Sequence, residues 1–521
     1  MASAAKVIAN LYRDSVSLMQ LSASLAARPG IEQASAIMAT PANLALLAAA
    51  GLERGKLAPS PNDLLIAVRG PRPADLEAAL TAAATELETP PLPAAGGGPD
   101  AMPVRSLQMA LEQSPANRPA PNLALISTPG EYAAAEAMKA LRLGLNVMLF
   151  SDNVALRDEI ELKRYARSRG LLVMGPDCGT AIIQGIPLGF ANEVRRGAIG
   201  VVGASGTGTQ QVTCLVQRLG AGISHAIGTG GHDLSAQVGG ITMLQGIKAL
   251  AGDAQTKVIV VISKPPAPQV ARQVLAAARR CGKPVVVNFV GAAPQSVRGE
   301  NLYQALTLED AAHAALALAR GRKPAAAAPG GRAPIRAGQA RGRTNTRQRF
   351  VRGLFSGGTF CYEAAALLGA TLGEVWSNAP VDPRMRLVNV HKSRGHCLID
   401  LGDDEFTRGR PHPMIDFRLR NERVLTEARD PEVAVILLDV VLGYGAHPDP
   451  AAELVPVLEK ARTVARKARR KLALVGFVCG TAEDPQGLVR QERALRAAGM
   501  VLTESNAQAV RLAAAIAGRR R

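Results

Sequence analysis

Apolar runs alternate with amphipathic stretches along most of the chain. From residue 121 onward, runs rich in Val, Ile and Leu each end in a turn that contains Gly or Pro, and a stretch of helical length follows. Continuous apolar runs are typical of strands buried on both faces, and their alternation with helices indicates parallel βαβ units. The pattern therefore predicts an α/β protein built on parallel sheets.

Two changes in composition divide this pattern. Residues 90–120 begin with a stretch rich in Pro, Gly and Ala, and residues 319–348 form a second such stretch that is strongly basic. Both are predicted to be linkers. The domains predicted around them are a small α/β domain of three strands and three helices over 1–89, a doubly wound domain over 121–192, and two further parallel-sheet domains over 193–318 and 349–518.

Composition narrows the class of protein. Aromatic residues make up only 3% of the chain, which favours tightly packed layers of helix on sheet. The six cysteines are far apart and form no C-x-x-C pair, so neither a disulfide framework nor a metal site is predicted. The N-terminal residues lack a basic region followed by a sustained apolar run, and no stretch is suited to spanning a membrane. We therefore predict a cytoplasmic protein without a membrane or metal partner.

The net charge of +18 raises the question of nucleic-acid binding. Ten basic residues and no acidic one lie between 320 and 352, so much of the charge is concentrated around the second linker. This stretch has no aromatic side chain before Phe350 on which a base could stack. A solvated linker is the favoured interpretation, a polyanion-binding tether is the alternative, and no nucleic-acid partner is predicted.

The most informative turn is Gly-Ala-Ser-Gly-Thr-Gly-Thr at 203–209, between a predicted strand and a predicted helix. Glycines let a backbone approach an anion, and the N–H groups at a helix start carry a partial positive charge. Because the lysine of a Walker loop is missing, this turn would bind phosphate through backbone donors. A tight turn that binds nothing is the alternative. Weaker candidates of the same kind lie at 355–359, 439–448 and 477–481.

A charged loop offers a second kind of chemistry. Arg408 and Arg410 are suited to bidentate contacts with a planar carboxylate, and His412 is suited to proton transfer. An exposed loop without function is the alternative. His225 and His232 are predicted to be structural.

Several motifs resemble a known family of enzymes. GPDCGT, GASGTGTQ and GTGGHDLS resemble the α subunit of succinyl-CoA synthetase, and LIDLGDD and ILLDVVLGYGAHPDP resemble the carboxyl-terminal domain of its β subunit. Together with RDSVSLM, MATPAN and GRPHPMID, the fused arrangement resembles the FdrA family. The resemblance implies that 121–192 is a CoA-binding-type Rossmann domain and that 193–318 and 349–518 are flavodoxin-like CoA-ligase domains.

The resemblance also implies where phosphate binds. In succinyl-CoA synthetase a phosphohistidine is stabilised between two helix starts, one from each subunit. The positions that match them here are Ser205, Gly206, Thr207 and Gly208 on one side and Gly443, Gly445 and Ala446 on the other.

The sequence departs from that enzyme where the phosphohistidine relay should be. The segment that would hold the phosphorylated histidine reads GAAPQSVRGENLYQAL, and Ser263-Lys264-Pro265-Pro266 replaces the glutamate that orients it. The glycine-rich CoA loop is missing, and the ATP-grasp residues have no counterpart. The phosphate turn therefore remains while the relay is lost.

A phosphate turn without a relay is consistent with direct attack of phosphate on an acyl or carbamoyl carbon. The FdrA resemblance implies a subunit of an oxamate carbamoyltransferase, which converts oxalurate and phosphate to oxamate and carbamoyl phosphate with two further protein subunits in an oligomer. Phosphate is then a substrate, Arg408 or Arg410 holds the oxalurate carboxylate, and His412 is the general acid. The alternatives are an acyl-CoA ligase that binds CoA and a scaffold subunit without catalysis.

Overall fold

Two units make up the part of the chain that the computed structural model describes, which is residues 2–13, 15–52, 55, 57–88, 104–115, 117–293, 296–325, 347–407 and 411–518. One unit is Met1–Pro176 with Asp404–Ile415, and the other is Asp177–Asp403 with Asp416–Arg521. Arg408, Arg410 and most of the basic linker lie outside the described residues.

The first unit begins with a small antiparallel sheet in the order β1-β3-β2. Its core contains fully buried residues such as Leu25, Leu64 and Ile66. The elements are β1 (Ala2–Ile8), α1 (Ser15–Ala26), β2 (Gln33–Met38), α2 (Pro41–Ala49), β3 (Leu64–Gly70) and α3 (Pro73–Glu88). The predicted three strands and three helices are confirmed.

A parallel three-stranded sheet in the order β4-β5-β6 follows in the same unit. Its core is built around the buried residues Val147, Leu149 and Ala137. The elements are α4 (Leu107–Glu112), β4 (Leu123–Ile126), α5 (Gly130–Arg142), β5 (Asn146–Leu149), α6 (Leu156–Ser168) and β6 (Val173–Met174).

The second unit contains a seven-stranded sheet in the order β13-β12-β11-β9-β10-β7-β8. The strands from β9 to β13 run parallel, as the buried apolar runs predict, and β11 (VIVVIS) is buried along its whole length. The elements are β7 (Thr180–Ile183), β8 (Ile186–Gly189), β9 (Arg196–Gly203), α7 (Gly206–Arg218), β10 (Ile223–Gly228), α8 (Ile241–Gly252), β11 (Val258–Ser263), α9 (Pro268–Arg280), β12 (Val285–Phe289), β13 (Leu302–Gln304) and α10 (Leu308–Ala319).

A six-stranded sheet, parallel throughout, completes this unit in the order β15-β16-β14-β17-β18-β19. Its central strand β17 is buried at every residue. The elements are β14 (Phe350–Phe355), α11 (Gly358–Leu372), β15 (Val375–Ser377), β16 (His396–Asp400), α12 (Asp404–Thr407, which groups with the first unit), α13 (Arg418–Arg429), β17 (Val433–Val441), α14 (Pro450–Lys467), β18 (Ala473–Cys479), α15 (Leu488–Ala497), β19 (Met500–Thr503) and α16 (Asn506–Ala517).

The boundary predicted at residue 192 differs from the observed one. The hairpin β7–β8 pairs with β10 and so extends the seven-stranded sheet, and the second unit begins at Asp177. The two short strands are antiparallel additions to a parallel sheet, so the repeating βαβ pattern used to divide the chain does not reveal them. None of the helices in the described ranges is long and apolar enough to cross a membrane.

Glu363 joins three helices inside the second unit. Its carboxyl oxygens accept hydrogen bonds from the Leu308 N–H at the start of α10 (2.7 Å) and from the Asn506 Nδ2 at the start of α16 (2.8 Å). Burial raises the pKa of Glu363 to about 7, although both hydrogen bonds lower it. This buried acid therefore holds a proton at pH values where an exposed glutamate is ionised.

We expect Glu363→Gln to flatten the pH dependence of stability. The pKa of Glu363 is higher in the folded chain than its ordinary value of 4.5, so its contribution to stability is present below about pH 4.5 and is lost as the pH rises to about 7. The loss amounts to about 3 kcal/mol. Urea unfolding at pH 5 and pH 8 gives the change in the free energy of unfolding with pH for each protein. The loss is the difference between this change in the wild type and in the variant. An equal change of the free energy of unfolding with pH in the two proteins would mean that Glu363 ionises normally.

Candidate functional site

The turn at 203–209 has the geometry of an anion-binding helix start. The Oγ of Ser205 caps α7 by accepting the N–H of Gly208 (3.0 Å), in extended backbone with φ of −161°. The N–H groups of Gly206 and Thr207 precede the first intrahelical bonds, and no acidic residue lies in the first turn of the helix. The partial positive charge of this helix start is therefore not offset by its own side chains.

The turn before α11 has the opposite character, because a buried carboxylate already occupies it. Asp439 accepts the N–H of Ser356 (2.8 Å) and the N–H of Gly357 (2.9 Å), and the Ser356 Oγ donates to it as well (2.7 Å). Arg420 is buried beside Asp439, with its Nη1 3.1 Å from Oδ1. This helix start is thus compensated from within the protein.

The two helix starts touch. Ser205 Oγ and Thr359 Oγ1 lie 2.5 Å apart and share a hydrogen bond between α7 and α11. A Cβ placed on Gly357 would lie 2.9 Å from the Thr207 Cγ2, so the turns approach closely. The structure therefore pairs the turn at 203–209 with the turn at 355–359, which the sequence had identified as a weaker candidate.

Asp400 stands over the start of α11. Its side chain is buried, its Oδ1 accepts the N–H of Gly402 (3.0 Å), and its Oδ2 would lie 2.5 Å from a Cβ on Gly358. Burial raises the pKa of Asp400 to about 6, and the positive charge of Lys264 opposes this rise. Gly358 is therefore needed for the close approach of a carboxylate.

Lys264 belongs to the same edge of the site. It follows β11, which pairs with β9 so that Ile262 lies opposite Gly203, and the Ala204 N–H donates to the Ile262 carbonyl (2.9 Å). The exposed Lys264 Nζ lies 5.8 Å from the centre of the Tyr362 ring on α11. Lys264 thus follows the strand beside the turn at 203–209, and its ammonium group lies near α11.

The prediction that a helix begins at Gly443–Ala446 is wrong. α14 begins at Pro450 with Asp449 as its cap, because two prolines, at 448 and 450, interrupt the chain after the strand. The Gly443 N–H already donates to Gln486 Oε1 (3.0 Å), in backbone with φ of +105°. Phosphate binding by Gly445 and Ala446 stays a prediction.

This second turn is nevertheless linked to α7. The Asn192 Nδ2 donates to the Leu442 carbonyl (2.9 Å), and the Gln210 Nε2 donates to Asn192 Oδ1 (3.1 Å). Tyr444 also donates its N–H to the Ala191 carbonyl (2.8 Å). The turn rests on the segment before β9 and reaches α7 through one side chain.

His412 belongs to the unit that does not contain the turn at 203–209. It lies in Asp404–Ile415, which groups with the first unit, and its Nδ1 accepts the N–H of Met414 (3.2 Å). Its role as general acid stays a prediction, as do the roles of Arg408 and Arg410 outside the described residues. His225 accepts the Gln184 N–H (3.2 Å) on its Nδ1, which is a structural contact.

Sequence reasoning did not assign a role to Thr359, Asp400 or Lys264. Thr359 lies in a turn of the same glycine-rich type as 203–209, and Lys264 stands where the related enzyme has a glutamate. Asp400 ends a strand beside a loop crowded with other acids, so nothing in its spacing distinguished it. The shared feature is position at the carboxyl ends of parallel strands.

Three family profiles match the chain. The CoA-ligase profile matches residues 354–516 and the CoA-binding-domain profile matches residues 194–291. The second match falls on the domain predicted over 193–318 and not on the one over 121–192. Fold and profiles together define a CoA-ligase-type protein related to succinyl-CoA synthetase.

A curated relative gives the particular family. The Escherichia coli (strain K12) protein with the name "Uncharacterized protein YahF" is 43% identical over 498 residues, which is 95% of each chain. The chain belongs to the YahF family.

More distant relatives carry ligase names. Mitochondrial succinate–CoA ligase (ADP-forming) subunit alpha-2 of Trichomonas vaginalis is 31% identical over 148 residues, which is 27% of this chain and 47% of that protein. The chain thus spans about half the length of the succinate–CoA ligase subunits it matches. The dinucleotide-forming acetyl-coenzyme A synthetase 1 of Ca. Korarchaeum cryptofilum is 17% identical with a TM-score of 0.31, over 76% of this chain and 82% of that one.

The third profile, described as "AllF, heavy metal-associated domain", matches residues 1–101. Heavy metals of the soft and borderline classes are bound by thiolate and imidazole groups. Residues 1–101 contain neither cysteine nor histidine. These thiolate and imidazole ligands are therefore missing from the matched segment.

Alanine at two glycines of α11 should have opposite effects. A Cβ at Gly358 collides with Asp400 Oδ2, whereas a Cβ at Gly369 meets nothing within 4 Å. We expect Gly358→Ala to destabilise the protein by about 1–3 kcal/mol. Gly369→Ala should stabilise it by roughly 0.5–1 kcal/mol through helix propensity. Urea unfolding at neutral pH measures both, and a Gly358→Ala variant as stable as Gly369→Ala would contradict the close approach of Asp400.

Proposed function

We propose that this protein transfers a carbamoyl group directly between an amide nitrogen and inorganic phosphate. The reaction is oxalurate plus phosphate to oxamate plus carbamoyl phosphate, as the FdrA resemblance implies, and two further protein subunits take part. A phosphate oxygen bonds to the carbamoyl carbon, the carbon–nitrogen bond of oxalurate breaks, and the nitrogen gains the proton that the hydrogen phosphate loses.

The start of α7 is the observation that carries the proposal. Gly206 and Thr207 present N–H groups where the helix has no acidic side chain of its own, and Lys264 stands beside the turn. Such donors can bind the oxygens of phosphate, and they can stabilise the negative charge that develops during the attack. The neighbouring helix start at Gly357 is already bonded to Asp439, so it does not compete for the anion.

The changes at the relay support direct attack. The segment 291–306, which would hold the phosphorylated histidine, contains no histidine, and a lysine stands at 264 where the related enzyme has its orienting glutamate. A lysine favours an anion beside the turn, whereas a glutamate would hold a histidine. Catalysis then rests on holding phosphate and oxalurate together and on stabilising charge.

An acyl-CoA ligase is the second candidate, and the CoA-ligase and CoA-binding profiles favour it. A phosphate group of CoA presents the same oxygens to the α7 turn as inorganic phosphate does. The ligase needs a nucleotide-binding module and a phosphorylated group, which another subunit would supply. The two candidates therefore differ in their requirement for CoA and nucleotide.

We expect Gly206→Glu to abolish phosphate-dependent cleavage of oxalurate. A Cβ at Gly206 lies 3.2 Å from Thr180 Oγ1, so the fold needs only a small shift, while the new carboxylate occupies the position of the anion. The rate of carbamoyl phosphate formation should fall by about 100-fold or more. The assay follows oxamate and carbamoyl phosphate with the chain alone and with its two partner subunits.

Gly252→Glu is the matched control. It adds the same charge where a Cβ meets nothing within 4 Å, and it should keep the wild-type rate. An equal loss of rate in both variants would mean that the added negative charge lowers the rate wherever it is placed, and this would contradict a phosphate site at Gly206. Formation of an acyl-CoA that requires CoA and ATP, without any cleavage of oxalurate by phosphate, would replace the proposal with the ligase.

A further inference from the structure

Asp400 carries an oxygen that the fold does not use. Its side chain is 7% exposed, and Oδ1 accepts the Gly402 N–H. Oδ2 accepts no hydrogen bond from the described residues, although it is aimed at the start of α11 beside Gly358. Oδ2 is not one of the fully buried side-chain atoms that lack a partner, so it is accessible to a molecule bound at this helix start.

Asp439, a second buried aspartate beside the start of α11, differs from Asp400 in its hydrogen bonds. Asp439 is also buried at the end of a strand of the same sheet, and its oxygens accept from Ser356, Gly357 and Arg420. Both oxygens of the Asp439 carboxylate therefore accept hydrogen bonds within the protein. Asp400 lies on the other side of the same helix start, and only its Oδ1 accepts a hydrogen bond from the described residues.

Asp400 lies next to the proposed phosphate turn. Gly358, over which it stands, precedes Thr359, and the Thr359 hydroxyl contacts the Ser205 cap of α7 (2.5 Å). Lys264 follows β11 and lies near Tyr362 on the same helix α11, and its positive charge lowers the pKa of Asp400. An acid and a cation thus flank the helix start that offers free N–H groups.

Among the described residues, four charged or titratable groups interact with Asp400. Asp403 follows β16, Asp439 lies on β17, Cys361 lies on α11, and Lys264 follows β11. The two aspartates favour the protonated form of Asp400, and the lysine favours the ionised form. Burial is the largest effect and raises the pKa of Asp400 to about 6.

We propose that Asp400 is the proton donor to the leaving amide nitrogen and that Lys264 binds the phosphate beside it. This inference rests on the proposed function and deepens it, because it names the acid that His412 was predicted to be.

The proton balance of the step closes within the site. A phosphate oxygen bonds to the carbamoyl carbon as the carbon–nitrogen bond breaks, and the nitrogen takes the proton of the Asp400 carboxyl. The Asp400 carboxylate then accepts the proton that hydrogen phosphate releases once its oxygen has become the bridging oxygen. No redox partner or covalent enzyme intermediate is required.

Asp400→Asn should lower kcat for oxalurate cleavage by about 100-fold or more, the usual contribution of a general acid. In the wild type, kcat should fall as the pH rises through about 6, where Asp400 loses its proton. The Asn variant should lack this part of the pH profile. Lys264→Met should move the fall in kcat to higher pH because a positive charge that favours the ionised carboxyl is gone.

Glu363→Gln is the matched control, since Glu363 is a second buried acid with a raised pKa on the same helix α11. It should change stability but leave the pH profile of kcat as in the wild type. An Asp400→Asn enzyme with unchanged kcat and profile would overturn the role of Asp400 and leave the proposed function standing. A wild-type mixture that never cleaves oxalurate would overturn both.

Discussion

The contact between the starts of α7 and α11 is the constraint on which the rest of this site depends. Two helix starts bring partial positive charges together, and the shared hydrogen bond of Ser205 and Thr359 fixes them side by side. The protein offsets one of these charges with the buried Asp439 and leaves the other open. This asymmetry determines which helix start is free to hold an anion.

The same contact explains the glycines around it. Gly357 admits Thr207, and Gly358 admits the Asp400 carboxylate, so both positions exclude a side chain for reasons of approach. Glu363, further along α11, joins this helix to α10 and α16. The turn at 203–209 is therefore held against helices that pack on two different sheets.

Much of this architecture could be predicted from the sequence, and the reasons are specific. Strands such as β11 and β17 are almost continuous apolar runs, which are typical of strands buried on both faces. The parallel sheets were predicted from these runs. The turn at 203–209 was found because glycines and a Ser cap mark a helix start. The hairpin β7–β8 was missed, since its pairing with β10 joins residues far apart in sequence.

The second half of the site could not be predicted in the same way. Gly443 and Gly445 have the composition of an anion-binding turn, yet Pro448 and Pro450 delay the helix, and Gln486 takes the Gly443 N–H. The contact of 355–359 with the turn at 203–209 follows from how two sheets pack, which no local pattern encodes. Asp400 becomes notable only in the structure, where its Oδ2 accepts no hydrogen bond from the described residues.

Isotope tracing tests the central claim, direct attack of phosphate at this turn, most directly. Oxalurate is incubated with the protein, the two further subunits that the proposed function includes, and inorganic phosphate labelled with ¹⁸O at every oxygen. The carbamoyl phosphate is then analysed by mass spectrometry. Direct attack predicts a product that retains every labelled oxygen, including the bridging one, and no phosphorylated protein. A product whose bridging oxygen is unlabelled, together with a phosphorylated chain, would contradict the account.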